Sequence, residues 1–150
     1  MNDDNDAMEL EDHLFFLCTQ VVYRRNSLMQ EVLRPLDLSP PQYRILSAVL
    51  RKGPLTMLEL AQWTAFERTR ITHMLHAMEE RGLVVRTSLE RDRRTVLVQV
   101  TAEGSALFRR ANKLVNALTD EITGVNSEEE VEAARAALRR MRLKLIELGT

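Results

Sequence analysis

The stretch from Ser88 to Gly104, SLERDRRTVLVQVTAEG, sets Arg91, Arg93 and Arg94 beside Glu90 and Asp92 on what reads as a turn, then runs into β-branched residues. Guanidinium groups donate in a planar fork that matches phosphate oxygens, and arginine is favoured in the negative potential of a minor groove. A projecting turn of this composition is therefore suited to a nucleic-acid backbone. Asp92 between the arginines is expected to orient the wing, as a bidentate partner that fixes the Arg94 side chain. A second set of donors lies upstream. Between Glu67 and Arg81, Ile71, Met74, Leu75 and Met78 form a narrow apolar stripe, with Arg68, Thr69, Arg70, Thr72, His73 and His76 on the other faces. Such a helix buries one side and offers the other to base edges and phosphates. Thr56, at the start of the preceding segment, completes the expected DNA-binding set.

Other chemistries fit less well. His73 and His76 sit one helical turn apart and share a face, but no third ligand follows, so no metal is expected. There is no Gly-rich phosphate loop, nucleophile elbow or converging His and carboxylate set, so neither an enzyme nor a cofactor is expected. Phe15, Phe16, Trp63 and Phe66 read as core. Cys18, the one cysteine, sits in an apolar stripe with no adjacent base and reads as a buried structural residue. The run Glu128 to Glu132 is a dipole-stabilised helix start.

The elements that must position these residues can be read in order. Leu14, Leu17, Cys18, Val21, Leu28 and Val32 follow helical spacing as far as Pro35. Ser39-Pro-Pro-Gln-Tyr opens a second helix that runs to about Leu50, and Lys52-Gly53-Pro54 stops it. Thr56 and Glu59 have capping-box spacing and open a short third helix ending near Trp63. The donor-bearing helix closes at Gly82, and the runs Leu83–Thr87 and Thr95–Val100 form a hairpin around the arginine turn. Thr101 caps a helix with apolar Leu107, Ala111, Leu114, Val115, Leu118 and Ile122, broken at Gly124. Ser127 and Glu130 open the last, whose Val131, Ala134, Leu138, Met141, Leu145 and Leu148 make a heptad seam.

Composition agrees. The 150 residues suffice for one domain, and 5 Gly and 4 Pro favour helices over a sandwich or barrel. No apolar run approaches the ~20 residues that cross a bilayer, and the acidic start is unlike a signal peptide, so no membrane contact and a cytoplasmic location are expected. The net charge of −1 is uneven: residues 1–12 hold six acids and no base, while residues 51–100 hold nine Lys and Arg against six acids. The basic middle admits a polyanionic partner despite the total.

Taken together, Pro41-Gln42-Tyr43, Leu60-Ala61, Leu75-His-Ala-Met-Glu79, Gly82-Leu83-Val84-x-Arg86, Asp92-x-Arg94 and Thr101-x-x-Gly104 carry a resemblance. From residue 13 to 148 the chain resembles the MarR family, the multiple-antibiotic-resistance type of winged helix-turn-helix repressor. The resemblance implies a mostly α fold with a small β-hairpin: a DNA-binding winged helix over 39–100, a helical dimerisation region over 13–38 and 101–150, and an acidic disordered tail over 1–12. It also implies a homodimer on a pseudo-palindromic operator in double-stranded DNA, released by a small aromatic or phenolic effector. Two positions depart from the pattern: Ala65 stands where the family often has Gly, and His73 where Arg is common. Because some relatives sense organic peroxides through a cysteine in the first helix, a redox-responsive regulator using Cys18 is one alternative. A helical interaction module that binds no DNA is the other, and it leaves the basic hairpin unexplained.

Overall fold

Three reciprocal caps set the start of helices along this chain, and each is a short-range consequence of sequence. Ser39 Oγ accepts from Gln42 N at 3.3 Å while Gln42 Oε1 accepts from Ser39 N at 3.0 Å, opening α2 (Pro40–Lys52). Thr56 and Glu59 do the same for α3 (Met57–Thr64), and Ser127 and Glu130 for α6 (Glu128–Glu147). Each box satisfies two backbone donors that a helix start leaves open. The remaining elements of this computed structural model are α1 (Leu14–Leu33), β1 (Leu55–Thr56), α4 (Arg68–Glu80), β2 (Val84–Leu89), β3 (Asp92–Val100) and α5 (Ala102–Thr123).

The structure describes residues 8–89 and 91–149, except the side chain of Arg93. Most of the expected acidic tail, residues 1–7, therefore lies outside the described residues. Within its described end, Leu10–Asp12 form one 3-10 turn. The chain divides into two compact units between Val115 and Asn116.

In the first unit, Leu33 of α1, Ile45 and Leu46 of α2, Leu60 of α3, Ile71, Leu75 and Met78 of α4, Val84 of β2 and Val98 of β3 are fully buried. Each such side chain contributes roughly 1.5–3 kcal/mol of burial. The α2–α5 packing adds an aromatic pair, Tyr43 on Phe108 at 5.3 Å, and the Tyr43 hydroxyl donates to Asn112 Oδ1 at 2.8 Å. Burial pushes the Tyr43 phenol up, which keeps the hydroxyl protonated and donating. In the second unit α6 carries its heptad positions without burying any residue, and Leu138, Leu145 and Leu148 are exposed.

The antiparallel sheet has the order β1-β3-β2. Its first strand is an addition to the expected hairpin: Leu55 and Thr56 pair with Val98 and Leu97. The hairpin itself is longer than the residue pattern suggested, because β2 reaches Leu89 and β3 begins at Asp92. Arg93 and Arg94 consequently belong to β3 rather than to the turn. Between Ser88 and Leu89 the register shifts from Val96 to Asp92, so the extra residues of β3 form an irregularity at the tip.

The base of the hairpin is held to α5 by two small residues. Thr101 Oγ1 donates to the Gly82 carbonyl at 2.5 Å and accepts from Gly104 N at 3.0 Å. Gly104 is buried so closely that an added Cβ would lie 2.1 Å from the Leu83 carbonyl oxygen and 2.8 Å from Val100 Cγ1. Helix propensity alone predicts that Gly104→Ala stabilises α5 by ~1 kcal/mol. The clash with fixed backbone wins, and we expect a loss of about 2–3 kcal/mol in urea unfolding. A gain would contradict this close approach.

Candidate nucleic-acid interface

The turn between α3 and α4 is made by Ala65, which takes the left-handed conformation (φ 57, ψ 33) while its N–H bonds to Ala61 O at 2.9 Å. Alanine here does what glycine does in the resembled family, at a steric cost of roughly 1–2 kcal/mol. The chain then passes Phe66 and enters α4 at Glu67, whose side chain makes no cap bond. The first-turn N–H groups of α4 are thereby left for solvent or an anion.

With Ile71, Leu75 and Met78 buried, Arg68, Thr69, Thr72, His73 and His76 are all exposed, as the apolar stripe implied. Their engagements differ. The Thr72 hydroxyl donates back to Arg68 O at 3.0 Å, and His76 Nε2 lies 3.5 Å from Glu80 Oε1. Among the described residues no hydrogen bond or ion pair occupies the side chains of Arg68, Thr69 or His73. The Thr56 hydroxyl accepts from Glu59 N and donates to Glu59 Oε2 at 2.9 Å, so in this structure both of its functions serve the α3 cap.

Arg70 is turned elsewhere. Its guanidinium stacks over the Phe66 ring at 4.4 Å, and Arg44 covers the same ring at 4.8 Å while donating to Thr64 O. Burial, with the positive charges of Arg25 and Arg70, holds the Arg44 guanidinium below its usual value. Arg44, Phe66 and Arg70 line a cavity of about 510 Å³ together with Val22, Tyr23 and Pro40. The aromatic residues expected in the core are not there. Phe15 and Trp63 are exposed and Phe16 and Phe66 half-buried, with Lys52 Nζ sitting 4.1 Å over Trp63. Rings whose faces are taken by cations stay at the surface, because the cation must keep its water. Cys18 is likewise half-buried rather than buried.

On the wing, Arg91 and Arg94 are exposed, and among the described residues no ion pair engages them. Asp92 does not form the expected fork with the Arg94 guanidinium. Its Oδ1 accepts from the Arg94 backbone N–H at 2.9 Å and its Oδ2 from the Thr95 hydroxyl at 2.7 Å. Those bonds, the Thr95 one foremost, hold its carboxyl below the usual carboxylate range. The carboxylate shapes the backbone of the irregular tip, and Glu90 lies outside the described residues. No group of three His, Cys, Asp or Glu among the described residues is arranged to hold a metal ion. No helix among them is long and apolar enough to cross a membrane.

An exposed donor face on the second helix of a helix-turn-helix, followed by a wing, agrees with the comparisons. A sequence model of the MarR family matches residues 36–95. The organic hydroperoxide resistance transcriptional regulator of Bacillus subtilis is 30% identical over 106 residues, covering 71% of this chain and 72% of that one. The chain belongs to the MarR family. It is thus a transcriptional regulator, and not an enzyme, within a family whose solved members share its fold. A mutant MarR of E. coli complexed with operator DNA is 26% identical, covers 94% of this chain and 99% of that one, and superposes with a TM-score of 0.77. CouR of Rhodococcus jostii, bound to p-coumaroyl-CoA, is 26% identical over 90% of this chain and 95% of that one, with a TM-score of 0.81.

Within this MarR-family lobe, residue pattern alone missed the Arg44–Phe66–Arg70 stack, for which alternation of apolar and polar residues carries no signal. The Ala65 departure, by contrast, was legible and has a measurable consequence. Ala65→Gly relieves the left-handed strain but loosens the unfolded chain, and the difference favours the variant by about 0.5–1 kcal/mol. A higher urea midpoint with an unchanged slope is the expected outcome; a lower midpoint would show that the turn is not strained.

Proposed function

We propose that this chain is a cytoplasmic homodimeric repressor that binds a pseudo-palindromic operator through α4 and the wing and is released by a small anionic aromatic ligand. The carrying observation is the coexistence of two unengaged basic surfaces in sequence order, Arg68 with Thr69 and His73 on α4, then Arg91 and Arg94 on the wing. A helix ~10–12 Å across fits a major groove of about 12 Å, and a wing beside it reaches the flanking backbone or minor groove. Thr72 and His76 are placed to assist, and Arg93 adds charge to the same strand. Thr56 supports the interface through its cap, and Arg70 contributes only by leaving Phe66.

Residues 39–100 form the DNA-binding part of this reading, and 13–38 with 101–150 the dimerisation part. Exposed Leu14, Leu17, Val21 and Leu28 on α1, and Leu138, Leu145 and Leu148 on α6, supply apolar surface for a second copy. The cavity beside Phe66 supports the ligand: an apolar ring with the Arg70 and Arg44 guanidinium groups 4.4 and 4.8 Å from its centre fits an aromatic carboxylate.

Salt-dependent binding tests the dimer and the wing together. Removing one guanidinium per subunit by Arg94→Ala should lower the slope of log affinity against log salt by about 1.8, at ~0.9 per phosphate contact. A drop near 0.9 would indicate one subunit on the DNA, and no drop would remove the wing from the interface. Calorimetric titration tests the cavity. Benzoate and 4-hydroxybenzoate should bind the unmodified chain and weaken at least about tenfold in Arg44→Gln, the loss of one charge-assisted contact. Equal binding of uncharged benzamide would overturn the anionic ligand.

A further inference from the structure

The arginine in the third position of β2 is basic, lies in the DNA-binding lobe and yet is already neutralised. Glu79, in the last turn of α4, accepts from the Arg86 backbone N–H with Oε1 at 3.0 Å and from its guanidinium Nη2 with Oε2 at 2.6 Å. Both side chains are 27% exposed. β2 is the edge of the sheet, paired only with β3, so an outward-facing amide at Arg86 has no strand to bond to. The helix carboxylate takes that place. Glu79 thus holds β2 twice, by its backbone and by its side chain, and joins two elements that meet at a single left-handed residue, Gly82 (φ 69).

We propose that the Glu79–Arg86 pair clamps the wing at a fixed angle to α4, which makes Glu79 a positioning residue for DNA binding although it touches no DNA. The proposal rests on the reading that α4 and the wing share one DNA site. Its force comes from leverage. Seven residues of strand separate Gly82 from the end of β2, about 23 Å at ~3.3 Å per residue. A 10° slack at Gly82 would move the tip by roughly 4 Å, more than a hydrogen bond to a phosphate tolerates. The bonds at the base, Gly82 N to Glu79 O at 2.9 Å, Leu83 N to Met78 O at 2.9 Å and Thr101 Oγ1 to Gly82 O, fix where the wing starts. The Glu79 carboxylate acts farther out, at Arg86, where it limits the angle. Hydrogen bonding from the guanidinium holds the Glu79 carboxyl below the usual range, so the clamp is charged at neutral pH.

The pair is partly buried, so its loss should lower global stability somewhat, and an unchanged circular dichroism spectrum should show that each variant is folded. Amide order parameters in the DNA-free protein read the clamp directly. In Glu79→Ala, and to a lesser degree in Glu79→Gln, wing amides at 87–89 and 91–94 should fall from near 0.85 to below about 0.6 while α4 stays rigid. Unchanged wing order in Glu79→Ala would overturn the proposal. A double-mutant cycle with Arg94→Ala then reads its use. The affinity lost on Arg94→Ala should shrink at least threefold in the Glu79→Ala background, and less in Glu79→Gln, whose amide oxygen can still accept from the Arg86 backbone N–H. An equal loss in both backgrounds overturns the positioning role. If Arg94→Ala costs nothing in the unmodified chain, it is the wing contact that fails, and the positioning role with it.

Discussion

The burial of Ile71, Leu75 and Met78 is the constraint on which the DNA-binding lobe depends. A helix can rotate about its own axis, and these three fully buried side chains stop it. Turning α4 by one residue, about 100°, would bring Thr72, His76 and Glu79 toward the core and expose apolar surface that contributes several kcal/mol. Because that exchange is unaffordable, Arg68, Thr69, Thr72, His73 and His76 face outward together. The outward face proposed to read bases is therefore a by-product of core packing as much as of the polar residues themselves.

The wing is placed by a different kind of interaction. Few apolar side chains beyond Leu83, Val84 and Val98 are buried in the hairpin, and its outer part is held by polar ties of short reach. Thr101 and Gly104 fix its base, Glu79 grips its edge, and Asp92 folds its tip around Arg94 N–H and the Thr95 hydroxyl. Local hydrogen bonds resist angular motion while costing little buried surface, which suits a thin element with the proposed place beside a duplex. The strain accepted at Ala65 belongs to the same economy of space, since the turn leaves Phe66 where Arg44 and Arg70 close on it.

Much of this was legible in the residues. The caps at Ser39, Thr56 and Ser127, the stripe on α4 and the hairpin depend on neighbours within a turn or on simple periodicity, and sequence displays both. What it did not display depends on partners far along the chain. β1 is two residues long, too short for any alternation, and exists because Val98 and Leu97 complete it. Arg70 reads as an outward donor until Phe66 and Arg44 are seen beside it. Trp63 and Phe66 read as core because aromatic residues usually are, whereas cations occupy their faces here. Asp92 was recognised as an organising carboxylate, but its acceptors meet a backbone N–H and a hydroxyl rather than a guanidinium. Thr101-x-x-Gly104 could be noted as a pattern, while its cause, a backbone passing where no Cβ fits, required the fold.

The central claim is that the outward face of α4 lies in the major groove of two adjacent half-sites. Its most direct test is DNA cleavage by an iron chelate tethered at Thr69→Cys in a Cys18→Ser background, on a fragment selected by the protein from genomic DNA. Two clusters of cleavage centred one helical turn apart, ~34 Å, are the predicted result. Cleavage from a chelate at Arg109→Cys on α5, with none from Thr69→Cys, would contradict it.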